Sequence, residues 1–322
     1  MKFNCIKIKL TPIFFVYKRL RVQMQVETCP NKKRLYYKTE KSNHEGIGIM
    51  KLPYPRGFFL QRKEVAVKKC AFSAFLFTFS ILFTGSLWAH FGMVIPSDQM
   101  VMQGEDTNIK VDLMFWHPFE GIGMDLTKPA VFGVSVNGAN QNLLTMLKPA
   151  KRDGHQTWST NFRIKSPGVY MFHMEPQPYW EPSEDCFIIH FTKTVVTSFG
   201  DDEGWGRELG LKTEIVPLAK PYGLYAGNVF QGVVKLNGKH VPYAEVEVEY
   251  YNEDGKSEAP TDYMITQTIK ADQNGLFTYA APKAGWWGFA ALNKADFKLT
   301  NNGKKKDVEL GAVMWVKFHN MK

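Results

Sequence analysis

Cysteine is scarce in this sequence, and most of it lies near the N-terminus. The 322 residues include four cysteines, of which only Cys186 follows residue 70. A chain that begins after residue 70 therefore has no second thiol with which to form an internal disulfide. Its stability has to come from packing, as expected for domains of about 100 residues or more.

The usual catalytic signatures are also missing. The sequence contains no Gly-x-Ser-x-Gly, no glycine-rich phosphate loop and no His-Glu-x-x-His. Their absence removes the common sequence support for an α/β-hydrolase, a nucleotide-binding enzyme or a zinc protease. Cys186 stands in a predicted strand and is interpreted as a small buried hydrophobe. We expect a binding protein, not an enzyme.

An excess of positive charge is confined to the first part of the chain. Residues 1–69 hold 17 Lys/Arg against 4 Asp/Glu, whereas residues 90–322 hold 23 against 27. The net charge of +9 for the whole chain thus becomes about −4 after residue 89. The later part lacks the basic surface that nucleic-acid binding requires, so no nucleic-acid partner is expected.

One apolar run stands before this acidic part. The run, Ala71 to Trp88, follows two lysines and ends before Ala89, a pattern that predicts a secretory signal peptide. Cleavage after Ala89 would place the protein in the periplasm with His90 as its first residue. The alternative is an uncleaved N-terminal anchor, because 18 residues is close to the length that spans a membrane. We interpret residues 1–89 as an over-extended leader plus signal peptide, with Met50 as a plausible true start.

From His90 onward, short alternating segments recur every ten or so residues and end at Gly, Asn, Asp or Pro. This pattern predicts an all-β protein with two β-sandwich domains, immunoglobulin-like or transthyretin-like. We place an N-terminal, metal-binding sandwich at residues 90–217 and a C-terminal, transthyretin-like or carboxypeptidase-regulatory-like sandwich at residues 218–322. Asn137-Gly138 and Asn237-Gly238 are predicted hairpin turns.

A mature N-terminal histidine is a metal-binding unit in its own right. The α-amine and the Nδ1 atom of His90 can close a chelate ring on a divalent cation. His117 or His173 would supply further nitrogen, and Glu120 a nearby carboxylate oxygen. Because free amines titrate near pH 7.7 to 8.0 and imidazoles near 6.5, we expect affinity to fall steeply below about pH 6.5.

Two other interpretations remain open. The same terminus would serve a periplasmic copper carrier or a copper-dependent oxidative enzyme, because nitrogen ligands bind Cu(II) more tightly than Ni(II) or Co(II). Alternatively, histidines within apolar strands, such as His173 and His190, are structural, and the protein is an adhesion or scaffold protein with no metal affinity.

Four strings carry a family resemblance: His90-Phe91-Gly92-Met93-Val94-Ile95-Pro96-Ser97, His117-Pro118-Phe119-Glu120-Gly121, Pro178-Tyr179-Trp180-Glu181-Pro182 and Pro221-Tyr222-Gly223-Leu224-Tyr225-Ala226-Gly227-Asn228. Over residues 90–318 the chain resembles the NikK-type periplasmic components of bacterial nickel/cobalt uptake systems. The resemblance implies two β-sandwich modules, a mature N-terminal histidine and capture of Ni(II) or Co(II). It further implies delivery of the ion to the subunits of a membrane transporter of the energy-coupling type.

Overall fold

A computed structural model describes residues 90–321 and, in the preceding part, the strands within residues 6–49. The predicted signal peptide, Ala71 to Trp88, and its cleavage site after Ala89 lie outside the described residues. Within the part of the chain that is described, no helix has the length and apolar character needed to cross a membrane.

The chain divides into two compact units, residues 1–83 and residues 84–322. The described part of the first unit is a four-stranded antiparallel sheet in the order β1-β2-β3-β4. Its strands are β1 (Ile6–Lys7), β2 (Arg21–Cys29), β3 (Lys32–Lys41) and β4 (His44–Ile49). Residues 1–89 were interpreted from the sequence only as a leader plus signal peptide, although Val22, Met24 and Val26 alternate with polar residues, as is typical of a strand.

The second unit consists of strands joined by turns and two short 3₁₀ helices, Leu144–Met146 and Asp262–Met264. Its first strands are β5 (Phe91–Pro96), β6 (Met100–Val101), β7 (Asn108–His117), β8 (Ile122–Met124), β9 (Val131–Val136), β10 (Ala139–Asn142), β11 (Lys148–Arg152), β12 (His155–Arg163), β13 (Gly168–Glu175), β14 (Tyr179–Glu181) and β15 (Cys186–Ser198). The others are β16 (Thr213–Pro217), β17 (Leu224–Tyr225), β18 (Val229–Leu236), β19 (Lys239–His240), β20 (Glu245–Tyr250), β21 (Gln267–Lys270), β22 (Leu276–Ala280), β23 (Gly285–Lys294), β24 (Leu299–Asn301), β25 (Lys304–Lys306) and β26 (Val308–His319).

Three sheets organise these strands. The central sheet runs β10-β9-β13-β15-β26-β23-β20-β21, with β6 and β14 on β15 and β17 on β26. The front sheet runs β11-β12-β7-β5, with β8 on β7, and the back sheet runs β16-β18-β19, with β22 on β18. A separate hairpin joins β24 to β25. The all-β fold class predicted from the sequence is confirmed.

Two large apolar cores lie between these layers. Leu113, Phe132 and Phe172 belong to the core between the front and central sheets. Phe230 and Phe289 belong to the core between the back and central sheets. The two sandwiches share the central sheet because β15 pairs in parallel with β26. Residues 84–322 therefore form one compact unit that continues across the predicted boundary at residue 217.

The predicted hairpin turns have the expected backbone. Asn137 and Gly138 have φ of 49° and 87°, and Asn237 and Gly238 have 50° and 73°. Positive φ at both central residues matches the twist of the flanking strands, and Asn-Gly adopts it at low cost.

Candidate metal centre at His90

His90 lies immediately before β5, at the point where the front sheet meets the strand β14. Its Nε2 atom lies 3.0 Å from the Oε2 atom of Glu181, and both side chains are about nine-tenths buried, with 9% and 10% of their surface exposed. The backbone amide and the hydroxyl of Ser183 donate to Oε1 of the same carboxylate at 2.8 and 2.5 Å. Burial alone would raise the pKa of Glu181, but the hydrogen bonds from Ser183 and the His90 ring lower it overall. Glu181 is therefore an anionic partner that fixes the orientation of His90.

His117 is brought to His90 by the pairing of β5 with β7. Phe91 pairs with Trp116 in this antiparallel ladder, so the next residue pair outward is His90 and His117. The centroids of the two rings are 4.5 Å apart, with the planes tilted by 53°, and His117 is buried. His90 and His117, which were both predicted as metal ligands, therefore lie side by side in the fold.

His190 is a third histidine at this position, on the face of β15 that points toward the front sheet. The amide of Gly92 donates to its Nδ1 atom at 3.3 Å, and its Nε2 atom lies 3.4 Å from Oε1 of Glu309. Its side chain is 1% exposed. Since Nδ1 accepts a hydrogen bond, the proton belongs on Nε2, facing Glu309. His190 thus anchors the start of β5 beside His90.

Two glycines make room for the His190 ring. A Cβ atom at Gly311, on the adjacent strand β26, would overlap the ring, and one at Gly92 would overlap Thr192 and His190. These glycines allow β5 to approach the central sheet closely.

The closeness of Gly311 to His190 gives a stability prediction. We expect Gly311→Ala to lower the free energy of unfolding by about 1–3 kcal/mol, because the added methyl group overpacks a buried site. Urea denaturation measures this change. Gly206→Ala is the matched control, because Gly206 has no left-handed φ and its added Cβ would make only an ordinary contact, 3.5 Å from the Pro217 carbonyl oxygen. An unchanged midpoint for Gly311→Ala would contradict the close fit of the ring.

The electrostatic environment keeps the His90 ring neutral. Burial is the largest cause, and the neighbouring His117 and His190 add to it, so that the pKa of His90 falls from 6.5 to about 4. Glu181 and Glu309 oppose this shift but do not cancel it. A neutral ring with Nε2–H directed at Glu181 has an unprotonated Nδ1 atom. That nitrogen is the one that can form a chelate with the main-chain nitrogen of the same residue.

The other two predicted ligands lie elsewhere. His173 pairs with Lys193 in the ladder of β13 and β15, and burial lowers its pKa. Because positions 190 and 193 of one strand face opposite sides of the sheet, His173 is turned away from His190. The carboxyl group of Glu120 lies against that of Glu249, and it is not among the charges that act on His90.

Side chains alone do not complete a metal centre. In residues 90–321, no group of three or more His, Cys, Asp or Glu side chains has an arrangement that could hold a metal ion. Cys186 is a free thiol, and burial and neighbouring carboxylates raise its pKa to about 12.

Glu181 was not among the ligands predicted from the sequence, and His190 was interpreted as structural in one of the alternatives. The hydrogen bonds from Ser183, two residues later, are what distinguish the Glu181 carboxylate in the structure. No local sequence signal identified Glu309 or the position of His190, since both depend on the pairing of β15 with β26.

A cavity of about 340 Å³ adjoins these residues. Phe115 and Tyr179 form part of its wall, and each also packs against the His90 ring, at centroid distances of 5.5 and 6.1 Å. Gly92 and His190 also line the cavity. The cavity has the concave, mostly apolar form of a small-molecule site.

Residues 87–295 match the family model described as "Domain of unknown function (DUF4198)". The chain belongs to this family. The DUF4198 region includes His90, His117, Glu181 and His190 and ends before Glu309. The family description states no function, and no curated protein matches the sequence.

Similar solved structures are distant from this DUF4198 protein. Dimeric latent PorU from Porphyromonas gingivalis is 9% identical, with 90% of this chain and 24% of that chain covered and a TM-score of 0.20. The D00-D0 domain of intimin is 10% identical, covers 72% and 100%, and has a TM-score of 0.17. The titin fragment A168169 is 12% identical, covers 70% and 98%, and has a TM-score of 0.18. At these scores, the likeness carries no conclusion about function.

Proposed function

We propose that the mature protein, beginning at His90, binds a divalent transition-metal ion through the α-amine and Nδ1 of that residue. The hydrogen-bonding geometry of Nε2 with Glu181, at 3.0 Å, is the observation that carries the proposal. Histidines that bind metals commonly donate their other ring N–H to a carboxylate, which fixes the tautomer and the ring orientation. Here that arrangement leaves Nδ1 as the donor atom.

His117 is the natural third ligand, because its ring is 4.5 Å from that of His90 by centroid. The amine that signal-peptide cleavage would create supplies the donor that the side chains lack. Glu181 then orients the His90 ring from outside the ligand set. His173 and Glu120 are not part of this proposal, since the fold directs them elsewhere.

We further propose that the ion is Ni(II) or Co(II) and that the protein is a periplasmic carrier, not an enzyme. It would deliver the ion to the subunits of a membrane uptake transporter. The sequence strings that resemble nickel/cobalt uptake components support this identity, and two of them contain His90 and His117. The ion is the cargo, so reversible binding without turnover is expected.

Copper is the second candidate, and the donor set favours it. An amine and two imidazoles are nitrogen ligands, and such sites bind Cu(II) more tightly than Ni(II) or Co(II). A copper site with oxidative chemistry would consume a reductant and show redox cycling, whereas a nickel or cobalt carrier would not.

A competitive Ni(II) titration tests the proposal. The protein that begins at His90 is compared with the same protein extended by Ala89, in which the His90 nitrogen is an amide. We expect the extended form to bind more weakly by at least the roughly tenfold to hundredfold that loss of an outer-shell partner costs. His117→Ala should also weaken binding, and His240→Ala, at an exposed position, serves as the matched control. Equal affinity of the two forms would contradict a ligand role for the amine.

Burial changes the expected pH dependence of this binding. The sequence analysis placed proton competition at the His90 ring near pH 6.5, but the pKa of that ring is lowered to about 4. Of the two proposed donor atoms of His90, only the amine therefore competes with protons well above pH 4. Amines titrate near pH 7.7 to 8.0, so protons compete across the whole range below that value.

A further inference from the structure

The turn that follows His117 is held by residues more than 100 positions later in the chain. Strands β7 and β8 form a hairpin in which His117 pairs with Ile122, and the amide of Gly121 donates to the carbonyl of His117 at 3.0 Å. The tip of this hairpin consists of Pro118, Phe119, Glu120 and Gly121. His117 is thus the last residue before a short turn whose position determines where the ring lies.

Three hydrogen bonds join this turn to the end of β20. The amide of Phe119 donates to Oε1 of Glu249 at 3.1 Å. The backbone amide of Asn252 donates to the carbonyl of Pro118, and its Nδ2 donates to the carbonyl of Phe119, both at 3.1 Å. The turn is therefore bound through its main chain to two residues of the C-terminal half of the protein.

Both residues are buried. Glu249 is 0% exposed and Asn252 is 7% exposed. The remaining bonds of Asn252 fix its own orientation, because its Nδ2 donates to the Ser257 carbonyl and its Oδ1 accepts from the Ser257 amide, both at 3.0 Å. Hydrogen bonds in such a position are well defined in geometry and costly to lose.

We infer that Glu249 and Asn252 are positioning residues for metal binding, which hold the turn after His117 so that its ring stays beside His90. The inference rests on the proposed function. His117 belongs to the front sheet, whereas Glu249 and Asn252 lie at the end of β20 in the central sheet. The inference therefore makes the position of a ligand in one sheet depend on residues of another. Outer-shell residues of this kind typically change metal affinity tenfold to a hundredfold.

Glutamine is the informative replacement at Glu249. Burial and the adjacent Glu120 carboxyl raise the pKa of Glu249 well above its usual value, which favours the neutral form of the side chain. Glutamine is neutral and of the same shape, and its Oε1 can accept from the Phe119 amide. Alanine removes the acceptor altogether.

The test measures Ni(II) affinity in a double-mutant cycle. We expect Glu249→Ala and Asn252→Ala each to weaken binding about tenfold, and Glu249→Gln to stay near wild type. In the His117→Ala background, Glu249→Ala should have no further effect, because its action passes through His117. Glu245→Ala, an exposed position on the same strand, is the matched control.

A merely structural role predicts a different pattern. If Glu249→Ala weakens Ni(II) binding equally with and without His117, or leaves it unchanged, the inference is wrong. If Glu249→Ala does not fold, Asn252→Ala in the same cycle decides. Wild-type protein that binds no Ni(II) overturns the proposed function and the inference together. Intact binding that is insensitive to Glu249 and Asn252 overturns the inference alone.

Discussion

Replacing Glu214 by alanine is expected to lower the free energy of unfolding by about 3–5 kcal/mol, because it leaves a buried lysine without its partner. Glu214 accepts from Nζ of Lys193 at 3.0 Å, and the two side chains are only 3% and 1% exposed. Its carboxylate also accepts from the amides of Leu209 and Gly210, each at 3.1 Å. Burial lowers the pKa of Lys193, and the Glu214 charge opposes that shift.

Urea denaturation of three variants measures the effect. Glu245→Ala is the matched control, since Glu245 pairs with Lys270, both side chains are 62% exposed, and surface pairs contribute about 0–1 kcal/mol. The double variant Lys193→Met with Glu214→Leu should recover most of the loss, because it removes both charges. A loss below about 1 kcal/mol in Glu214→Ala would show that water reaches Lys193 after all.

The sequence predicted the all-β character of residues 90–322 and the points at which some of the strands end. In the structure, β9 (Val131–Val136) ends directly at the predicted Asn137-Gly138 turn, and β18 (Val229–Leu236) ends directly at the predicted Asn237-Gly238 turn. These elements are recognisable because alternation and Asn-Gly turns are local signals.

Pairing between distant strands could not be predicted in the same way. The parallel ladder of β15 and β26 joins residues about 120 positions apart, and it places His190 over Gly311 and beside Glu309. His173 was a plausible ligand by residue type, but the register of β13 puts it opposite Lys193. A shift of one residue would have turned it toward the other face, so side-chain identity alone could not decide the question.

The neutral state of His90 is expected to make the folded protein sensitive to acid. The ring has a pKa of about 4 in the folded chain, compared with 6.5 for an ordinary histidine. Between these values the unfolded chain binds a proton that the folded chain does not, so protonation favours unfolding. The free energy of unfolding should therefore fall by about 3 kcal/mol as the pH is lowered from 6.5 to 4, and this contribution should level off below pH 4.

The buried carboxyl group of Glu247 has the opposite effect on the pH dependence of stability. The free energy of unfolding of the wild type, plotted against pH, therefore does not isolate the contribution of His90. Burial raises the pKa of Glu247 to about 7, which means that the folded chain holds this proton where the unfolded chain has lost it. Its contribution to stability is present at low pH and is lost as the pH rises to about 7.

The difference in the free energy of unfolding between wild type and His90→Gln isolates the contribution of the histidine. Urea denaturation at several values from pH 7.5 to 4 should give a difference that changes with pH, and a constant difference would contradict the lowered pKa.

The proposed metal binding at His90 should also change the stability of the folded protein. A ring that is neutral at pH 7 presents Nδ1 to a cation without first releasing a proton, so burial of His90 favours binding as well as costing stability in acid. Ni(II) at about 100 times its dissociation constant should raise the free energy of unfolding by about 2.7 kcal/mol in protein that begins at His90. The same Ni(II) concentration should have little effect on His90→Gln. Equal stabilisation of both proteins would place the metal at other residues.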